Sequence, residues 1–153
     1  MRFGDNAQLG RAERGVVTFV PPINPGANLL SNGTFATDTA GWTLSVFGEG
    51  TLVAVAGKGR VTSGAIGYVV YWQGIPTTIG VSYRVRGDVE AVGASYFGLR
   101  KSDAGGNNLA DIAINTNGIA LTGTFVATAT TSYICLQTNG GYTDFDNLGA
   151  SEA

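Results

Sequence analysis

Apolar and polar residues alternate along this chain in short runs that stop at glycine, asparagine or proline. In VSYRVRGDV, residues 81–89, Tyr83, Val85 and Val89 fall on one side of an extended backbone, with Arg84, Arg86 and Asp88 on the other. That period of two is the mark of a half-buried strand. Comparable runs recur as TLSVF, TLVAVA, GYVVYWQGI, SYFGLR, ADIAINT, IALTGTFVA, SYICLQ and YTDFDNL. Many short strands with turn residues between them predict an all-β sandwich or barrel, and no segment carries the periodicity of a helix. Between two of the runs, Asn117-Gly118 suits a two-residue type I′ turn. The predicted hairpin sets Ile114 opposite Leu121 and puts Ile112, Ile114, Ile119, Leu121 and Phe125 on one face. KSDAGGNNLAD, residues 101–111, reads as a loop by composition.

The pattern is different ahead of residue 28. Residues 1–15 are polar and glycine-punctuated, VVTFV is a short β-prone run, and PPINPGAN holds three of the chain's four prolines. Proline sets φ and removes a donor, so this segment is expected to run extended. Residues 1–27 are therefore read as an assembly arm and residues 28–153 as the folded domain. Val16, Val17, Phe19 and Val20 are its expected anchors, adding as a strand to a neighbouring sheet edge in another chain or another copy of this one.

A chain of 153 residues is one domain by length. Its 9 basic and 11 acidic residues give a net charge of -2, with no Lys/Arg run interleaved with aromatics. Nucleic acid is not an expected partner. No stretch approaches 18 consecutive apolar residues, so membrane insertion is not expected either, and the charged first fifteen residues do not resemble a secretory leader. The single cysteine, Cys135, sits between Ile134 and Leu136 and reads as a small apolar strand residue. With no histidine, no paired-carboxylate motif and no nucleophile or phosphate-loop signature, no catalytic residue is expected.

One stretch is more particular. NLLSNGTF, residues 28–35, is followed by Gly41-Trp42; near the other end stand Phe145, Asp146, Asn147 and Leu148; between them a strand ends in Gln73 and the next carries Tyr83. In order and spacing these resemble the jelly-roll carbohydrate-binding modules of the galactose-binding-like type, over about four-fifths of the chain. The resemblance implies an antiparallel two-sheet jelly roll with Phe35 and Trp42 buried. It implies a structural calcium at the closing segment, with Asp146 matching the family's acidic ligand. Ala36 stands where a second carboxylate is expected, and Asp144 with carbonyls near Asn32 is the substitute. No other cofactor is expected. It also implies sugar stacking on aromatic faces, for which Tyr71, Trp72 and Tyr96 are the first candidates, with Tyr68, Tyr133 and Tyr142 of the same type. Tyr71 and Trp72 are neighbours, so only one faces the core. Arg84 and Arg86 are expected to frame the cleft.

Two functions follow. One is a glycan-binding module of a larger secreted or surface protein that acts on carbohydrate. The other, favoured by the arm, is a non-enzymatic virion structural protein at the virion surface. As a bacteriophage capsid decoration or tail-associated component it would contact other virion proteins through residues 1–27 and keep a glycan face outward.

Overall fold

The alternating runs become strands. A computed structural model describes residues 26–46, 48–103 and 108–153, and over those residues the fold is all-β, without helix. Ten strands follow in order: β1 (Thr43–Leu44), β2 (Gly50–Val55), β3 (Lys58–Ser63), β4 (Tyr68–Pro76) and β5 (Ser82–Val92), then β6 (Tyr96–Ser102), β7 (Asn108–Ile114), β8 (Gly118–Val126), β9 (Thr131–Asn139) and β10 (Tyr142–Glu152). They form two antiparallel five-stranded sheets, sheet A in the order β1-β4-β9-β6-β7 and sheet B in the order β2-β3-β10-β5-β8. The sheets face each other as a sandwich of jelly-roll type.

The core between the sheets collects the inward half of each alternation. Val69 and Ile75 from β4, Leu99 from β6 and Ile134 and Leu136 from β9 meet Val61, Tyr83, Val85 and Phe145 from sheet B, all buried. Burying a side chain of this size stabilises the fold by about 1.5–3 kcal/mol. As expected, Tyr83, Val85 and Val89 turn inward while Arg84 and Arg86 stay exposed.

The NLLSNGTF stretch closes one flank of the sandwich. The Asn28 side chain accepts from the backbone amides of Leu30 and Ala150, and the Leu29 amide donates to the Ala150 carbonyl, which ties the chain to β10. Gln73, buried on β4, accepts from the Ser31 amide at 2.7 Å and donates to the carbonyls of Ser31 and Gly41. Phe35 and Trp42 are buried with ring centroids 5.8 Å apart. Gly33 has to be glycine because a Cβ there would lie 2.2 Å from the Leu148 carbonyl oxygen.

Four local expectations are corrected. The Asn117-Gly118 hairpin does not form: β7 lies at the edge of sheet A and β8 at the edge of sheet B. Polar side chains near β5 capture the segment instead, since Asn117 Oδ1 accepts from the Ala91 amide and Asp88 Oδ1 accepts from the Ala120 amide. Positive φ occurs at Asn115 and Ala120, and Ile119 is left 82% exposed rather than sharing a face with Leu121 and Phe125. The tight hairpin of this kind lies elsewhere, at Ala56-Gly57, where both residues have positive φ between the paired Val55 and Lys58. Its second strand, β3, carries a lone apolar residue inward, Val61, and Gly59 replaces a side chain because the Phe35 ring fills that space, 2.7 Å from where a Cβ would be. Finally, among the described residues of TLSVF two, Thr43 and Leu44, are in a strand, and of the residues expected as loop over 101–111, Lys101 and Ser102 belong to β6 and 108–111 to β7. The anchors proposed for the arm, Val16, Val17, Phe19 and Val20, lie outside the described residues.

Candidate functional site

The outward half of sheet A carries the rings of Tyr68, Trp72, Tyr96 and Tyr133 among polar side chains. On β4 the inward residues Val69, Tyr71, Gln73 and Ile75 alternate with outward Tyr68, Val70, Trp72 and Gly74. Pairing across the sheet sets Thr43, Trp72, Cys135, Arg100 and Asp111 in one row. A second row holds Gly74, Tyr133 and Ser102, and a third Val70, Gln137 and Gly98. Tyr68, Asn139 and Tyr96 form a fourth. Paired residues share a face, so these rows are one surface.

Its floor is made of buried Cys135, Gln137 and Ser102, and its relief of half-buried aromatic rings. Trp72 and Tyr133 meet edge to face, with centroids 5.0 Å apart at an interplanar angle of 89°. Gly74 makes room for this arrangement, since a Cβ there would approach the Tyr133 ring to 3.3 Å. Arg100 donates to Gln137 Oε1, lies with its guanidinium 5.8 Å from the Tyr96 ring centroid, and approaches Asp111 Oδ1 at 3.6 Å through Nε. That Nε is buried and makes no hydrogen bond. Gly98, at φ 136, permits the irregular β6–β7 pairing beside Arg100, where a Cβ would meet the Ala113 carbonyl oxygen. In the floor Cys135 Sγ and Ser102 Oγ are 2.9 Å apart, and burial pushes the thiol up to about 11, so it stays protonated and inert.

The sequence candidates are thereby divided. Trp72 and Tyr96 share this face. Tyr71 is the neighbour that turns inward, packing on the core with its hydroxyl 3.4 Å from the Gly50 carbonyl. Arg84 and Arg86 do not frame the aromatic surface, because the alternation of β5 sends them out from sheet B, where they border a cavity of about 310 Å³ beside Asn28 and Gly149. Arg100, Gln137 and Asp111 escaped the sequence reading. The signal available for them, polar residues alternating with apolar ones in SYFGLR, SYICLQ and ADIAINT, does not distinguish a solvated face from a binding face.

Asp144 and Asp146 also point out from sheet B. Both oxygens of Asp144 accept from Arg60, at 2.7 and 2.8 Å, and the Arg60 guanidinium, raised in pKa by that bond, lies 4.0 Å from the Tyr142 ring centroid. Asp146 Oδ1 accepts from the Asn147 amide, and the carbonyl of Asn32 accepts from the Trp42 indole. Among the described residues no three acidic, cysteine or histidine side chains gather as a metal-binding group. A calcium ion bound through Asp144 would have to displace Arg60 from that carboxylate.

No protein-family model matches the sequence, and no curated protein matches it. Solved structures do match in fold. The enzymatically active domain of bacteriophage CBA120 tailspike protein 4 aligns over 82% of this chain at 17% identity with a TM-score of 0.59, this chain spanning 21% of that one. The tandem family 22 carbohydrate-binding modules of Paenibacillus barcinonensis Xyn10C align over 87% of this chain and 47% of theirs, at 15% identity and a TM-score of 0.59. A family 61 carbohydrate-binding module solved with β-1,4-galactotriose aligns over 82% of this chain and 99% of its own length, at 18% identity and a TM-score of 0.52. The chain thus has the fold of carbohydrate-binding modules.

Proposed function

We propose that this chain is a non-catalytic glycan-binding module whose ligand lies across the outer face of sheet A. The perpendicular Trp72–Tyr133 pair carries this reading. A pyranose presents apolar C–H faces that stack on such rings, and hydroxyls that Gln137 on β9, Arg100 on β6 and Asp111 on β7 are placed to meet. Hydrolysis is not part of the proposal: glycoside cleavage uses two carboxylates across the scissile bond, and among the described residues the strand rows of this face carry Asp111 alone. The test is affinity electrophoresis and glycan-array binding of the intact protein beside Trp72→Ala. Retardation by at least one polysaccharide, lost in the variant while the fold persists, is the expected result. Silence toward all glycans, or binding indifferent to Trp72 and Tyr133, overturns it.

The similarity to a phage tailspike supports a second reading, in which the module is displayed on a virion and residues 1–27 attach it to other virion proteins or to further copies of itself. Deleting residues 1–27 is then expected to leave a folded domain that still binds glycan and no longer joins its assembly. Unchanged incorporation sinks the attachment role and leaves the glycan reading intact.

A further inference from the structure

Lys101 follows Phe97 and Leu99 on the inward side of β6, and this alternation carries its side chain into the end of the sandwich. It is 4% exposed. Among the described residues its ammonium donates one hydrogen bond, to Thr128 Oγ1 at 3.3 Å, and lies 5.2 Å from the Phe125 ring centroid. Among the described residues it has no carboxylate within 4.0 Å, whereas Arg60 and Arg100 each do. A buried ammonium costs several kcal/mol of lost hydration unless an anion and further hydrogen bonds offset it, and one long bond with one ring face leaves donor capacity unused. Lys101 lines a cavity of about 300 Å³ together with Thr128, Thr130, Thr131 and Tyr133. Asp103 also lines the cavity.

We propose that this cavity takes an anionic substituent of a sugar, a carboxylate or a sulfate ester, with Lys101 as its counter-charge and the threonine hydroxyls as neutral donors. The inference rests on the reading of sheet A as the glycan face and deepens it, because Tyr133 belongs to both: its ring meets Trp72 on the aromatic surface and also lines the cavity. A saccharide stacked on the pair extends past Tyr133 towards Lys101, so the module selects acidic glycans over neutral ones of the same backbone.

The experiment is calorimetric titration of the intact protein with matched neutral, uronic and sulfated oligosaccharides built on several backbones. At least one acidic member is expected to bind about 10-fold to 100-fold tighter than its neutral counterpart. Raising NaCl from about 0.05 M to about 0.5 M should erode that preference and spare neutral binding. Lys101→Met is expected to abolish the preference while the neutral affinity stays within about twofold; the salt series makes the same test on unmodified protein. Whether uronic or sulfated members gain identifies the anion. Neutral binding without an acidic preference, or a preference that survives Lys101→Met, overturns the inference and leaves the aromatic face standing. Absence of binding to every glycan overturns both.

Discussion

The Trp72 ring meets Tyr133 edge to face across the β4–β9 pairing, although the two residues are 61 positions apart in sequence (133 − 72) and sit in adjacent rows of the sheet. Edge-to-face pairs of this kind favour one relative orientation, so the surface offered to a ligand is shaped before it arrives. Preorganisation lowers the ordering cost of binding.

Replacing either ring tests that surface. Trp72→Ala and Tyr133→Ala should each weaken glycan binding by about 30-fold, the scale of an interface hot spot of roughly 2 kcal/mol. Far-UV circular dichroism should be unchanged, since both side chains point out from the sandwich. Tyr71→Ala removes a neighbour that packs on the core, and is expected to lower stability first.

The NLLSNGTF flank is a stability element. Trp42→Ala should cost about 3–5 kcal/mol, and Gln73→Leu about 1–3 kcal/mol by leaving the Ser31 amide and two carbonyls unpaired. Urea denaturation followed by fluorescence reads both, and a loss under about 0.5 kcal/mol for Gln73→Leu would show that water replaces the amide.

Gly33→Ala is a sharper steric test. The added methyl would sit 2.2 Å from the Leu148 carbonyl oxygen, against the Leu148 amide to Gly33 carbonyl bond at 2.9 Å. A loss of more than about 1 kcal/mol is expected, visible as a lower denaturation midpoint.

Cys135 makes a pH prediction. Burial raises its thiol from 9.0 to about 11. A raised acid pKa means the folded state keeps the proton that the unfolded chain releases, so this contribution is complete below pH 9 and is lost as pH rises through about 11. Stability of the protein should therefore fall more steeply than that of Cys135→Ala between those limits. Equal slopes would remove the burial argument. Modification by iodoacetamide at neutral pH should be slow until denaturant is added.

The alternation in VSYRVRGDV was enough to specify a strand and its inward residues, and GYVVYWQGI and SYICLQ were legible as strands, because a period of two commits each side chain to one of two faces whatever the partner strand. The turn residues of NLLSNGTF marked the flank for the same local reason. The sequence also limited Tyr71 and Trp72 to opposite faces without saying which faced out. What the chain alone left open was which strands become neighbours. Asn117-Gly118 has the local chemistry of a hairpin turn, yet the Asp88 side chain and the Ala91 amide, residues far off in sequence, draw it onto the other sheet. The β3 strand was hidden because its inward position at Gly59 is filled by Phe35 from elsewhere in the chain. The row of Trp72, Cys135 and Arg100, the separation of Arg84 and Arg86 from it, and the pairing of Asp144 with Arg60 all arise from strand order and register. Those are set by the summed burial and hydrogen bonding of the whole sandwich, to which any one segment contributes too little to be read in isolation.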